Sequence, residues 1–169
     1  MLLLACIPAP KTVPLVPVGP GVRLRVDGAP LSLADIAGRK PKGEFVMVPL
    51  RLLTAASGVD TSALGPFTLV DGVGARYPAV RDPWLLKWVS LNLRRLPLLD
   101  SAAKPSGFLI QTQAYRWEVK PLGAGRVIDA FLLYDVPIAS QGLALEYGGR
   151  HALLQPTHPL AAPAATPSS

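Results

Sequence analysis

Side chains that act as nucleophiles, bases or metal ligands are few in this sequence and stand far apart. The single cysteine is Cys6, and the two histidines are His151 and His158. A nucleophilic cysteine needs a base within hydrogen-bond reach, and no serine stands in a Gly-x-Ser-x-Gly elbow. No two histidines or cysteines stand at metal-ligand spacing. We therefore predict no enzyme activity and no catalytic residue, and we expect His151 to be a surface or packed side chain.

The carboxylates and glycine-rich segments give no stronger indication of chemistry. Asp71, Asp129 and Asp135 are expected at turns and strand ends, because no Asp-rich loop supplies the oxygens of a calcium site. The segment Gly38–Gly43 has the glycine spacing of a phosphate loop, but Glu44 stands where that loop needs lysine. The sequence therefore predicts no metal site and no cofactor.

Aromatic and basic residues are the remaining candidates for function. Exposed aromatic rings beside arginines stack on bases or sugars, whereas buried rings would cover the core as a lid. Both interpretations stay open from the sequence. The candidate binding surface consists of Trp84, Trp88, Arg94, Arg95, Tyr115, Arg116 and Trp117.

The composition limits the elements that can position these residues. The chain has 169 residues, of which half are hydrophobic and 17 % are charged, so one domain with tails is expected. Nineteen prolines and fifteen glycines favour short strands joined by turns over a helical bundle. No run approaches the roughly 18 apolar residues that a membrane helix needs.

Alternating apolar residues predict most of the strands. Arg126–Gln155 reads as two strands joined by a short crossing, with a last short strand after Gly148-Gly149. Glu44–Leu53 reads as a central strand in which Pro49 predicts a bulge or an edge position. Leu31–Ala37 is expected to form a turn or a short helix. The other predicted strands include Val22–Val26, Phe67–Val70, Ala75–Val80, Phe108–Thr112 and Ala114–Val119.

One short helix is predicted after residue 82. Asp82 suits the N-cap position and Pro83 suits the first helical position. Trp84, Trp88 and Leu91 recur at i, i+4 and i+7, which predicts an amphipathic helix of about one and a half turns.

The start of the chain resembles a bacterial lipobox, with Leu3-Leu4-Ala5 before Cys6. This resemblance implies a lipid on Cys6 and a translation start upstream of Met1, since a signal peptide needs an apolar run of about 7–15 residues. The alternative is an ordinary cysteine in an apolar start. Residues 7–20 carry five prolines and would extend roughly 40 Å as a tether. Residues 156–169 are predicted to be a disordered tail.

Four motifs follow one another along the chain: Gly43, Phe45 and Val46; Phe67, Leu69, Asp71, Gly74 and Tyr77; Tyr134, Val136 and Pro137; and Leu143 and Leu145. This ordered set resembles the DUF4352 or telokin-like family of bacterial extracellular immunoglobulin-like domains. The resemblance spans about Val22 to Leu154, and it implies an antiparallel immunoglobulin-like β-sandwich over residues 21–155 with a short helix insertion. It also implies export, frequent lipid anchoring and no known chemistry. Pro49 and the apolar insertion 83–99 depart from the family pattern, and insertions are where function resides.

The charge of the chain leaves two functional hypotheses. The formal net charge is +6 and the pI about 9.8, but Arg39-Lys40-Pro41-Lys42 and Arg94-Arg95 are the only compact basic groups. The favoured hypothesis is a non-catalytic binding or assembly module of the cell envelope, anchored to the membrane by lipid on Cys6 and bound to an envelope protein or ligand. The alternative is a cytosolic basic module that binds nucleic acid or another polyanion, although nucleic acid is the less favoured partner.

Overall fold

The computed structural model describes residues 15–19, 21–55, 66–82, 84–85, 88–89, 108–111, 117–120 and 126–159. This part of the chain is mostly β-strand, as predicted, and within it only residues 84–85 and 88–89 are helical. The strands are β1 (Val16–Gly19), β2 (Val22–Val26), β3 (Leu31–Leu33), β4 (Glu44–Thr54), β5 (Thr68–Val70), β6 (Arg76–Pro78), β7 (Phe108–Gln111), β8 (Trp117–Lys120), β9 (Arg126–Val136), β10 (Ala144–Tyr147), β11 (Arg150–Leu153) and β12 (His158–Pro159).

The first sheet is built around the long antiparallel pair β4 and β9. These strands are 11 residues each and stay in register along their whole length, from Glu44 opposite Val136 to Thr54 opposite Arg126. The order is β1-β2-β4-β9-β7-β8, and β3 pairs with β4 beyond the end of β2. The pairs β7–β9 and β12–β3 are parallel, and the other pairs of this sheet are antiparallel.

The second sheet has the order β11-β10-β5-β6 and is antiparallel throughout. It is joined to the first sheet where the chain leaves β6, because Ala79 bridges to Tyr134 and the Val80 amide donates to the Leu133 carbonyl at 2.7 Å. The stretch Arg126–Gln155 therefore contains strands of both sheets and passes between them after Val136, which matches the predicted crossing.

Alternation along β4 and β9 divides the buried residues into two cores on opposite faces of the first sheet. The larger core lies between the two sheets and includes Val46, Val48, Leu50, Leu52, Leu132 and Tyr134 from the first sheet and Phe67, Leu69, Leu145 and Tyr147 from the second. The smaller core lies on the other face and consists of Leu31, Leu33, Ile36, Phe45, Met47, Leu85, Val89, Phe131 and Leu133.

Pro49 makes no bulge in β4, so that alternative of the prediction is wrong, and the side of Pro49 away from β9 faces a gap between two strands. Pro49 lies in the middle of a central strand, directly opposite Phe131 of β9. Its carbonyl accepts a hydrogen bond from the Asp27 amide at 3.0 Å, on the edge where β2 ends and before β3 begins. Because the N and C=O of a strand residue point to the same side, the missing N–H falls in this gap and not on β9.

Three other segments differ from the sequence predictions. Leu31–Leu33 is a strand, whereas a turn or short helix was expected, because its alternate leucines enter the smaller core beside β4. Val16–Gly19 pairs with β2 although it lies within the predicted tether. His158–Pro159 pairs with Leu31–Ser32 although it lies within the predicted disordered tail. Residues 1–14 and 160–169 lie outside the described residues.

The Asp71-x-x-Gly74-x-x-Tyr77 pattern fixes the β5–β6 hairpin. One Asp71 carboxylate oxygen accepts the amides of Val73 at 3.1 Å and Ala75 at 2.8 Å. The Tyr77 hydroxyl donates to the other oxygen at 2.7 Å and lies 3.4 Å from the Ser140 hydroxyl. Asp71 is therefore a turn residue, as predicted. The Tyr77 hydroxyl near Ser140 and the Gly72 amide, which donates to the Gln141 carbonyl at 2.8 Å, tie the hairpin to the loop that follows β9.

Candidate functional site

A tight basic turn follows β3 and contacts the exposed helix residue Trp84. Ile36 and Arg39 exchange backbone hydrogen bonds of 3.0 and 3.1 Å, with Ala37 and Gly38 between them. The φ angles of Ala37 and Gly38 are 50° and 81°, as a two-residue type I′ turn requires. Ala37 is the one non-glycine residue with positive φ in the described part of the chain, and this conformation costs about 1–2 kcal/mol.

The turn is anchored in the smaller core. Ile36 is fully buried there with Leu85 and Val89, so the turn and the helix share one apolar contact. The Gly38 amide donates to the Asp35 carboxylate at 3.1 Å, which closes the turn from outside. Burial of Ile36 therefore offsets the strain at Ala37 and fixes the direction in which Arg39 leaves the turn.

Asp82 begins the helix as predicted. One of its carboxylate oxygens accepts the backbone amides of Trp84 at 2.9 Å and Leu85 at 3.3 Å, which are hydrogen bonds of an N-cap. The buried helix positions differ from the predicted Trp84 and Trp88 stripe. Leu85 and Val89 are buried, Trp88 packs half-buried against the same core, and Trp84 remains 43 % exposed. Of the two alternatives for the aromatic residues, the lid over the core therefore describes Trp88, and the exposed ring describes Trp84.

Arg39 joins the turn to the helix through two contacts. Its guanidinium carbon lies 4.3 Å from the centroid of the Trp84 ring, within the range of a cation–π contact worth about 0.5–1 kcal/mol at an exposed site. Its Nη1 lies 2.6 Å from Oδ2 of Asp82. Trp84 is therefore held between the capped helix and the basic turn, which reduces the conformational entropy it would lose on binding a partner.

A cleft of about 490 Å³ is lined by residues just before β4, at the end of β6 and at the end of β9. Its lining residue Lys42 follows Arg39 by three positions, and Val80 precedes Asp82 by two. Asp135 forms part of one wall and accepts the backbone amides of Lys42 at 3.0 Å and Gly43 at 3.2 Å, which is the strand-end role predicted for it. The remaining lining residues are Gly43, Tyr77, Pro78, Ala79 and Pro137.

Gly43 allows the wall of this cleft to close. A Cβ atom at residue 43 would lie 2.0 Å from the Val136 carbonyl oxygen, which is closer than any real contact. The close approach of the two backbones explains why glycine stands at this position, next to the first residue of β4.

We name the exposed group Arg39, Lys40, Lys42 and Trp84 the basic–aromatic surface.

The structure describes part of the predicted binding surface. Trp84 and Trp88 lie on the helix, and the backbone of Trp117 lies in β8 opposite Gln111. Arg39 is the residue that sequence reasoning missed. The basic group Arg39–Lys42 was visible as a signal, but nothing in the sequence joined it to a tryptophan 45 positions later. Cys6, Arg94, Arg95, Tyr115 and Arg116 lie outside the described residues.

The described residues contain neither a cluster of metal ligands nor a membrane-spanning helix. In these ranges no three His, Cys, Asp or Glu side chains come together in a way that could hold a metal ion. No helix in the same ranges has the length and apolar character needed to cross a bilayer. Comparisons with protein-family models, with curated proteins and with solved structures found no match.

Proposed function

We propose that this chain is a non-catalytic binding or assembly module of the cell envelope, with an immunoglobulin-like β-sandwich fold of the telokin-like kind. The two-sheet arrangement and the core shared between the sheets support the fold proposal. The Asp71–Tyr77 hairpin and the close approach of Gly43 to Val136 give structural roles to four residues of the motif set that carries the resemblance.

One observation carries the binding proposal, namely the exposed and fixed position of Trp84. Tryptophan and arginine are the residue types most enriched among those that dominate binding energy at interfaces. Here an exposed tryptophan is stacked with Arg39 and stands on a capped helix, and Arg39 is followed in the chain by the exposed Lys40 and Lys42. Such a group presents apolar area and positive charge to a partner without a large ordering cost.

Site-specific photo-crosslinking in the native cell tests this proposal. A photoreactive benzoylphenylalanine replaces Trp84 in one variant and Leu153 in a control variant. Leu153 is 75 % exposed and lies on β11, at the opposite edge of the second sheet from β6. We expect a discrete cross-linked product from position 84 that Arg39→Ala weakens. Equal products from both positions, or none from position 84, would contradict the proposal.

The envelope location rests on the Leu3-Leu4-Ala5-Cys6 pattern, and cell fractionation tests it separately. The chain carries a C-terminal tag and is expressed from its native upstream region. We expect recovery in the membrane fraction, released by detergent and not by salt. Cys6→Ser is expected to abolish both this recovery and the incorporation of labelled fatty acid. Recovery of the unmodified chain in the soluble cytosol would remove the lipid anchor from the proposal.

The second candidate function is a cytosolic module that binds nucleic acid or another polyanion. The contact of Arg39 with the exposed Trp84, with Lys40 and Lys42 exposed close by in the sequence, favours it, because polyanion sites combine phosphate-pairing cations with stacking rings. Binding to DNA, RNA or polyphosphate is then expected to weaken steeply with salt, and Lys42→Gln should reduce the salt slope. Arg23→Gln, an exposed cation on β2, is the control with the same charge change. Absence of binding at low salt would reject this candidate.

A further inference from the structure

A second cleft, of about 470 Å³, lies on the outer face of the second sheet and shares no residue with the basic–aromatic surface. Its volume falls within the range of about 300–1,000 Å³ that small-molecule sites occupy. The polar residues that line it are Thr68, Arg76, Glu146, Tyr147, Arg150 and His151.

The strand register brings these polar groups together. Glu146 lies opposite both Thr68 of β5 and His151 of β11, in the centre of the sheet. Leu145 and Tyr147 point into the larger core, so alternation turns Glu146 to the outer face. Arg76 reaches it from β6, two strands away.

A glycine turn places Arg150 at the end of the cleft. Gly148 and Gly149 have φ angles of 53° and 71°, and Tyr147 pairs directly with Arg150 across them. Nothing lies within 4 Å of a Cβ built at either glycine, so their conformation and not crowding favours glycine there. Burial raises the pKa of Tyr147, and the positive charge of Arg150 opposes that rise.

The charges of the cleft do not balance. Glu146 pairs with Arg76 and also lies 3.6 Å from Nδ1 of His151. Within the described residues no carboxylate pairs with Arg150. One carboxylate therefore faces two arginines and an imidazole, which leaves a formal charge of +1 with His151 neutral. Guanidinium groups bind phosphate and carboxylate through paired, charge-assisted hydrogen bonds.

We propose that this cleft binds the oxyanion group of a small ligand, with Arg150 as the free guanidinium and Arg76 held in place by Glu146. The Thr68 hydroxyl and the His151 imidazole supply further donors. Phosphate and carboxylate share the chemistry that these donors recognise. The site does not depend on the function proposed for the basic–aromatic surface.

Titration of the full chain with inorganic phosphate and with succinate, followed by amide chemical shifts at low salt, tests the site. We expect saturable shifts in the Tyr147–His151 hairpin for at least one of the two anions. Saturation with phosphate alone would assign a phosphate ligand, and saturation with succinate alone a carboxylate ligand. No saturable shift with either anion would overturn the proposal.

A pair of arginine variants separates a site from general surface charge. Arg150→Gln is expected to weaken anion binding at least tenfold, because it removes the unpaired guanidinium. Arg23→Gln removes the same charge from an exposed side chain on β2, outside the cleft and outside the basic–aromatic surface, and should leave the affinity unchanged within twofold. Equal losses in the two variants would show that only the net charge matters and would also overturn the proposal.

Discussion

The two faces of the first sheet are covered in different ways, and the difference locates the candidate binding surface. One face packs against a second sheet, and its core is assembled mainly by strand alternation. The other face is covered by β3, a strained type I′ turn and the residues of a short helix. The packing of sheet on sheet is regular, and the β5–β6 hairpin of the second sheet is closed by the hydrogen bonds of Asp71. The covering of the other face positions Arg39 and Trp84, so irregular structure on a rigid sheet carries the exposed binding chemistry.

The largest expected effect is a cavity in the core between the sheets. Leu69 is fully buried in the middle of β5, between β10 and β6. Leu69→Ala should lower the free energy of unfolding by about 2–5 kcal/mol, because the surrounding strands cannot collapse fully into the space. Urea denaturation measures this loss. A change below 1 kcal/mol would mean that the two sheets do not share a tightly packed core.

A cavity in the smaller core should act on the candidate surface as well as on stability. Ile36→Ala should cost about 2–3 kcal/mol, at the lower end of the range for such truncations, since a turn relaxes more easily than a strand. It should also increase the mobility of Trp84, seen as a fall in tryptophan fluorescence anisotropy. Leu69→Ala is the matched control, and a similar anisotropy change in both variants would remove the link between Ile36 and Trp84.

The turn of the smaller core holds Ala37 in a strained conformation, whereas the β5–β6 hairpin of the second sheet is held by the hydrogen bonds of Asp71. Ala37→Gly relieves a left-handed conformation worth about 1–2 kcal/mol and adds unfolded-state entropy of about 0.5–1 kcal/mol. The expected net result is a gain in stability of about 0.5–1 kcal/mol by thermal or urea denaturation. Loss of stability in this variant would show that the alanine side chain makes a contact of its own.

The Asp71 hairpin belongs to the second sheet, and its contribution to the stability of the chain should depend on pH. The Tyr77 hydroxyl, with the amides of Ala75, Val73 and Gly74, holds the pKa of Asp71 below its ordinary value although burial opposes this. A lowered folded-state pKa contributes stability above the unfolded pKa of about 3.9, and this contribution is lost as pH falls through the folded value.

Carboxyl groups titrate between about pH 5 and pH 2. Over this range the wild-type chain should therefore lose more stability than the Asp71→Asn variant does. Urea denaturation at both ends of this range measures the difference, which should be small because the hairpin is exposed and screened by solvent. An identical pH dependence in both chains would mean that the hydrogen bonds to Asp71 do not persist in solution.

The sequence predicted the elements whose residues alternate regularly and failed where packing decided the outcome. The hairpin at Asp71 and the N-cap at Asp82 follow from local chemistry, and both were predicted. The continuity of β4 through Pro49 depends on a gap between two neighbouring strands, which no local pattern encodes.

The candidate surface was predicted in part for the same reason. The aromatic residues of the helix were visible in the sequence, but the position that faces solvent depends on which neighbours enter the smaller core. Burial of Leu85 and Val89 turned Trp84 outward. The contact between Arg39 and Trp84 joins residues that are far apart in the chain, so it required the fold.

Acrylamide quenching of tryptophan fluorescence tests most directly whether the smaller core presents Trp84 to a partner. The wild-type chain is compared with Trp84→Phe and with Trp88→Phe, so that Trp117 contributes equally to all three. Trp84→Phe is expected to lower the quenchable emission more than Trp88→Phe does, because Trp84 is exposed and Trp88 is half-buried. If Trp88→Phe removed the quenchable emission instead, Trp84 would be shielded, and the basic–aromatic surface would not be available for binding.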